Sequence, residues 1–384
     1  MVEIYLDNAA TTKVDNEVIR EMLPYYYENY GNASSQHGLG YNARKALEKA
    51  RKIIAKSIGA KEYEIIFTSG GTESNNLALK GLYSANMEKG KKHIITTKIE
   101  HDCVLKTCEW LEKYGAEVTY LDVDAEGFIN LDKLRENIRE DTLVVSIIHG
   151  NNEIGTIQDL EEIGKICKEK EVYFHTDACQ SYTKIDIDVK KQNLGLVTLN
   201  AHKIHGPKGV GALFIREDIK IHPMQHGGGH ERNLRSGTEN IPGIVGFAGA
   251  VKMANRKDTE RMEELIDYFI DELLKIEGVR LNGPRKDRLC NNINVSFGNI
   301  EGEAIGGDLE NYEIYTSTGS ACMSHSLESS HVLKAIGLAP LESNSSLRLS
   351  LSKYTTKEEI DKTLGILKNT VDRLRKLSPI KLSS

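Results

Sequence analysis

The sequence predicts an α/β protein: a large unit built on a mainly parallel, mixed sheet, and a smaller α+β unit towards the C-terminal end. Three observations predict it. Short apolar runs alternate with amphipathic stretches over the first two thirds of the chain, as strands alternate with covering helices around a parallel sheet. That alternation changes near residue 255. And 384 residues are more than one small core requires, which favours two.

The β-like run 64–68 is followed by the Gly70-Gly71 turn, after which 72–87 reads as a helix. Runs 93–97, 117–121 and 143–148 continue the strand series, with helical sequence such as 132–139 between them. Segment 159–170 is a helix, because Leu160, Ile163, Gly164 and Cys167 recur at helical spacing. Runs 172–176, 196–199 and 211–215 complete the series. A long charged helix, 258–276, reads as a connector. Beyond it, strands at 291–297, 312–315 and 346–351 are set among helices at 302–310 and 357–377. The expected division is 1–15 as an N-terminal segment packing with the small unit, 16–255 as the large unit, and 256–384 as the small one.

Composition narrows the classes. Fifty basic and 56 acidic side chains give a net charge of −6, so no basic excess points to direct nucleic-acid binding. No basic n-region and apolar h-region open the chain, and no run approaches the ~18 apolar residues of a membrane helix. A cytoplasmic enzyme with no membrane contact is expected. The six cysteines form no Cys-x-x-Cys pair and suit no zinc module. His226 and His230 are four apart, but the three glycines between them disfavour a helix, and no metal set is assigned.

In an open α/β sheet, ligands gather at the carboxyl ends of the strands. Four groups fall there. Ser69-Gly70-Gly71-Thr72-Glu73-Ser74-Asn75 follows a strand and opens a helix, which suits a phosphate; a plain turn with Thr72 as N-cap fits the same residues. Asp177, before Ala178-Cys179-Gln180, ends an apolar strand, where a carboxylate needs a partner such as a cationic ring nitrogen or a helix to cap. His202-Lys203 follows another strand with glycines behind it; a desolvated lysine there forms imines with carbonyl cofactors, a solvated one is a surface charge. His101, beyond 93–97, is placed either to stack on a flat ring or to lie at the polar surface.

With these motifs in order, the chain resembles the fold-type I pyridoxal-phosphate enzymes of aminotransferase class V, and within them the NifS/IscS-like cysteine desulfurases. The resemblance runs from residue 3 to about 379. It rests on Tyr5-Leu6-Asp7-Asn8-Ala9-Ala10-Thr11-Thr12, Gly31-Asn32-Ala33-Ser34-Ser35, Asn151-Asn152-Glu153-Ile154-Gly155 and Asp177-Ala178-Cys179-Gln180. Further along it rests on His202-Lys203, on His226 through Arg232, on Arg235-Ser236-Gly237-Thr238, on Gly319-Ser320-Ala321-Cys322 and on Ser346-Leu347-Arg348-Leu349-Ser350.

The resemblance implies pyridoxal 5′-phosphate held by Lys203 as a Schiff base, Lys203 then moving protons at the substrate α-carbon. It implies Asp177 on the pyridinium nitrogen. Gln180 and Asn152 fall at the ring oxygen, with Asn152 also near substrate, and His101 stacks on the ring and shuttles protons. Gly71, Thr72 and His202 bind the phosphate, joined by Thr238 from a partner subunit, hence a homodimer. Arg348 forks onto the carboxylate of L-cysteine. Cys322, on the Ser- and Gly-rich loop 316–330, attacks the substrate sulfur and carries a persulfide to an acceptor, such as an iron–sulfur scaffold protein or a tRNA-thiolation protein, meeting a cluster in that transfer. The sequence departs from the family in having Asn200 where a phosphate-binding Ser is usual, and in His149-Gly150 at the pocket edge. Only seven residues follow 377, shorter than the tail with which many relatives dock the scaffold. A selenocysteine lyase or another class V enzyme is the alternative. A silent scaffold is disfavoured by Lys203, Asp177, His101 and Arg348 all being present, and a nucleotide site by the missing Gly-x-x-x-x-Gly-Lys-Ser/Thr pattern.

Overall fold

The computed structural model describes residues 3–318 and 329–377. A seven-stranded sheet forms the middle of the larger part. Its strand order is Ile65–Thr68, Gly211–Ile215, Leu196–Asn200, Tyr173–Asp177, Thr142–Ser146, His93–Thr97, Glu117–Leu121. Only Gly211–Ile215 runs against its neighbours, on both sides; the other pairings are parallel. Thr68, Asn200, Asp177, Ser146 and Thr97 therefore end along one edge. The central strands are buried on both faces, which is why they read as apolar runs without alternation.

Three helices not read from the sequence cover this sheet. Gly38–Ser57 and Ile241–Met253 pack on each other, and Asn16–Met22 packs on the latter. Their contact faces include small residues, Ala43, Ala46 and Ala50 on one and Ala248 and Ala250 on the other, which let the backbones approach, and Leu47 and Ile54 are buried on the same face of Gly38–Ser57. Helices Asp102–Glu112 and Leu160–Glu169 begin at side-chain caps, His101 and Asp159.

The C-terminal part has its own apolar cluster, formed by Ile266, Phe269, Ile270, Leu347, Leu349, Ile360, Leu367 and others. Strands Ser346–Ser350, Asn292–Phe297 and Val279–Asn282 form an antiparallel sheet there; the last was not foreseen. Helix Arg256–Leu273 buries Met262, Ile266, Phe269 and Ile270 in this cluster, so it is more than a connector. Ile4–Tyr5 pairs in parallel with Ile314–Tyr315, and Ile4 and Leu6 join the same cluster. The Ser350 amide donates to the Leu6 carbonyl, 2.7 Å, and the Ala9 amide to Ser350 Oγ, 2.8 Å. The N-terminal segment thereby bridges the small sheet and the edge of the large one.

Candidate active site

The site assembles where strands Ile65–Thr68, Leu196–Asn200 and Tyr173–Asp177 end. After Thr68 the chain turns at Gly70, with φ at +154°, and enters helix Gly71–Asn86. Gly70 is the N-cap, not Thr72, and no side chain caps this end. An uncapped helix N-terminus offers free N–H groups and the positive end of the dipole, the environment a phosphate requires. A side chain at Gly71 would bring its Cβ to 2.6 Å from Cys179 Sγ, so glycine is what permits the close approach. Asn200, at the end of strand Leu196–Asn200, is buried with its Oδ1 unpartnered. His202 Nδ1 lies 3.2 Å from Thr11 Oγ1, and burial beside Lys203 and Lys208 holds its imidazole neutral, pushed down to about 4.

Lys203 follows in the same turn. Its Nζ donates to the Ala9 carbonyl and, at 2.9 Å, to the Ala10 carbonyl. Burial, then the positive charge of Arg348, lowers its ammonium to about 8. Two N–H donors suffice for these two bonds, so the neutral amine keeps them and presents its lone pair. Gln180 Nε2 donates to the same Ala9 carbonyl at 2.8 Å, so the N-terminal segment fixes both.

Asp177 is buried at the end of its strand. Its Oδ1 accepts the Cys179 amide at 2.9 Å and its Oδ2 accepts Asn75 Nδ2 at 2.7 Å. A buried carboxylate held by donors on both oxygens is ready to face a cationic ring nitrogen. His101 sits at the N-terminus of helix Asp102–Glu112, its Nδ1 accepting the Cys103 amide at 3.1 Å. Beside it, burial raises the Glu100 carboxyl to about 8, although Oε1 accepts from Thr97 Oγ1 and the Ile148 amide. His149, at the pocket edge, is kept neutral by burial, at about 4.

Arg348, from the middle of strand Ser346–Ser350, enters from the C-terminal part and is 2% exposed. Nη1 donates to the Asn152 carbonyl at 3.1 Å and Nη2 to Asp7 Oδ1 at 2.9 Å; its buried Nε has no partner. Thr238 is exposed, on a loop that is firmly built at its root. Glu231, Arg232 and Asn233 are consecutive left-handed residues at φ 43°, 58° and 64°. They are held by a buried pair in which Arg51 Nη1 and Nη2 reach the two Glu231 oxygens at 2.7 and 2.8 Å, while Glu231 also accepts the Phe67 amide. Arg51→Met is expected to destabilise the fold by about 3–5 kcal/mol, read from urea unfolding, because it strands the Glu231 charge.

Lys203, Asp177, Gln180, His202, Asn200, Gly71 and Thr72 thus lie around the ends of three strands, with His101, Asn152 and Arg348 joining through Asn75, Asp7 and the N-terminal segment. Cys322 lies outside the described residues. Asn75, Asp7 and the Ala9 and Ala10 carbonyls were not singled out from the sequence. For Asp7, Ala9 and Ala10 the signal was present, in the motif of residues 5–12; Asn75 looked like part of a turn.

Residues 4–363 match the aminotransferase class-V family. The chain belongs to that family. Its cofactor is pyridoxal 5′-phosphate, and the uncapped helix, the lowered lysine and the carboxylate at Asp177 fit that group. Family relatives include a protein of Dictyoglomus turgidum named cysteine desulfurase IscS, 52% identical, with 99% of this chain and 97% of that one covered. One of the same name from Methanosarcina thermophila is 51% identical, covering 98% of this chain and 94% of that one. Among solved structures, one named NifS-like protein superposes with a TM-score of 0.91 at 41% identity, covering 97% of this chain and 100% of its own. Another, described as SspA in complex with cysteine, has a TM-score of 0.83 at 39% identity, covering 92% and 100%.

Proposed function

We propose that the chain is a cysteine desulfurase that converts L-cysteine to L-alanine and carries the sulfur as a persulfide on Cys322. The observation that carries this reading is the desolvated Lys203 amine set beside Asp177, an uncapped helix N-terminus and Arg348. Gly71, Thr72, Asn200 and His202 would hold the phosphate, Asp177 the ring nitrogen, Gln180 and Asn152 the ring oxygen, and His101 the ring face. When bound, pyridoxal phosphate supplies an electron sink for the substrate α-carbon.

The protein's own residues do the rest. Arg348 holds the substrate carboxylate with the N–H groups that Asp7 and Asn152 leave over. Lys203, its ammonium lowered to about 8, takes and returns the proton at the α-carbon. The Cys322 thiolate attacks the substrate sulfur. The S–S bond forms as the C–S bond breaks, the electron pair stays on carbon, and a proton delivered there completes alanine. The sum is one thiol and cysteine giving a persulfide and alanine, with no external oxidant.

Residues 1–15 and 256–384 form one unit and 16–255 the other in this reading, supported by their separate apolar clusters. A homodimer is supported by Thr238 being exposed on a fixed loop and by Tyr26, Tyr27, Tyr30 and Tyr41 being 60 to 66% exposed. Among the described residues no helix is long and apolar enough to cross a membrane; the proposed location is cytoplasmic, and the acceptor an iron–sulfur scaffold or tRNA-thiolation protein.

The test is transfer of labelled sulfur. Incubated with sulfur-labelled L-cysteine, the wild type is expected to release alanine and retain reducible label, while Cys322→Ala retains none. Equal labelling of the two would sink the persulfide assignment. Turnover of L-selenocysteine but not L-cysteine would favour a selenocysteine lyase.

A further inference from the structure

The groups assigned to the ring nitrogen and the ring face are connected to each other. Asn75 is fully buried, and its Nδ2 donates both to Asp177 Oδ2 at 2.7 Å and to Cys103 Sγ at 3.1 Å. Cys103 Sγ in turn lies 3.0 Å from His101 Nδ1. Resting on the functional reading above, we propose that Cys103, aimed by Asn75, is a positioning residue for His101. Its thiol fixes Nδ1 as an acceptor, leaves the proton on Nε2, and joins the imidazole to the Asp177 carboxylate through one chain of hydrogen bonds.

The direction of that chain is forced. A carboxylate only accepts, so Asn75 must present its NH₂ to Asp177, and the second hydrogen of that NH₂ points to sulfur. Sulfur accepts there and has one hydrogen of its own, which goes to His101 Nδ1. Nδ1 also accepts the Cys103 amide at 3.1 Å, so two donors converge on one nitrogen and it carries no proton. Donors to a neutral nitrogen oppose its protonation, so the thiol holds the imidazole neutral to lower pH than the amide alone would.

Among the described residues, substituting Cys103 alters none of the other charged and titratable groups around this imidazole. Glu100 and Asp102 flank it, Asp177 ends the strand beyond Thr142–Ser146, and Lys203 lies in the turn after Leu196–Asn200. From helix His331–Ala335, His331 Nε2 donates to the Glu100 carbonyl at 2.8 Å, with Nδ1 3.9 Å from Asp102. A change on removing the thiol therefore reports the thiol.

The test follows the imidazole itself. Holoenzyme carrying isotope-labelled histidine is titrated by nitrogen NMR as wild type, Cys103→Ala and Cys103→Ser, with His101→Gln to assign the signal. In the wild type Nδ1 is expected to be unprotonated. In Cys103→Ala the imidazole is expected to take up its second proton at a pH higher by about half a unit or more. Serine, which also accepts and donates, is expected to return it most of the way. The acidic limb of kcat/KM for alanine release moves in the same direction. An imidazole titration that does not move in an active Cys103→Ala enzyme overturns this inference alone. A wild type that releases no alanine overturns the functional reading alone, because the nitrogen signal does not depend on turnover.

Discussion

Lys203→Ala is expected to yield a protein with no covalently held cofactor and with alanine release reduced about a thousandfold or more, the scale of a lost acid–base group. The argument begins with the amine. Burial disfavours the ammonium, and so does Arg348, so the folded value falls to about 8. The sign then follows. Below that value the buried site must hold a charge it disfavours, and the neutral, nucleophilic fraction falls tenfold for each unit of pH. Capture of pyridoxal phosphate by the apoenzyme, read from the visible band, is expected to quicken as pH rises towards about 8 and to level off beyond it. The same shift makes the fold gain stability as pH rises from about 8 towards the ordinary lysine range, because the unfolded chain binds that proton more tightly. A pH-independent capture rate, or a Lys203→Ala protein that keeps the covalent band and full turnover, would remove Lys203 from the role.

Much of this site could be read before any coordinates. Lys203, Asp177 and the Gly70-Gly71 turn came into view by one rule, that chemistry collects at the carboxyl ends of parallel strands, while the family resemblance implied their roles and drew Asn200 in; the strands themselves were plain because burial on both faces makes them continuous apolar runs. What escaped shares a different physical character. Helix Gly38–Ser57 buries an arginine, and Arg51 is at home there because Glu231, distant in sequence, meets it in a left-handed turn beside the Ile65 carbonyl. Asn75 has no local signature that separates it from an ordinary turn residue. Its function arises from Asp177 and Cys103, which only the fold brings to it. The Ala9 and Ala10 carbonyls are backbone atoms, invisible to any reading of side-chain types, yet they hold Lys203. Long-range partners and backbone acceptors are properties of the tertiary arrangement.

Arg348→Lys separates a substrate-binding role from a structural one. The guanidinium now serves two masters within the protein, Asp7 and the Asn152 carbonyl, while its remaining N–H groups, including the buried and unpartnered Nε, are left to bind. A buried donor without a partner is unfavourable, and a substrate carboxylate would relieve it. Lysine keeps the charge and can still pair with Asp7, but it is a single point where the fork was planar. If Arg348 grips the substrate, kcat/KM for L-cysteine is expected to fall about 10- to 150-fold, the worth of one charged hydrogen bond, mostly through KM. The cofactor band and the urea midpoint should stay near the wild type. If Arg348 serves only to tie strand Ser346–Ser350 to Asp7 and Asn152, the reverse pattern follows, with the midpoint falling and KM unchanged. The two outcomes cannot be confused, because the substrate touches one readout and the Asp7 pair the other.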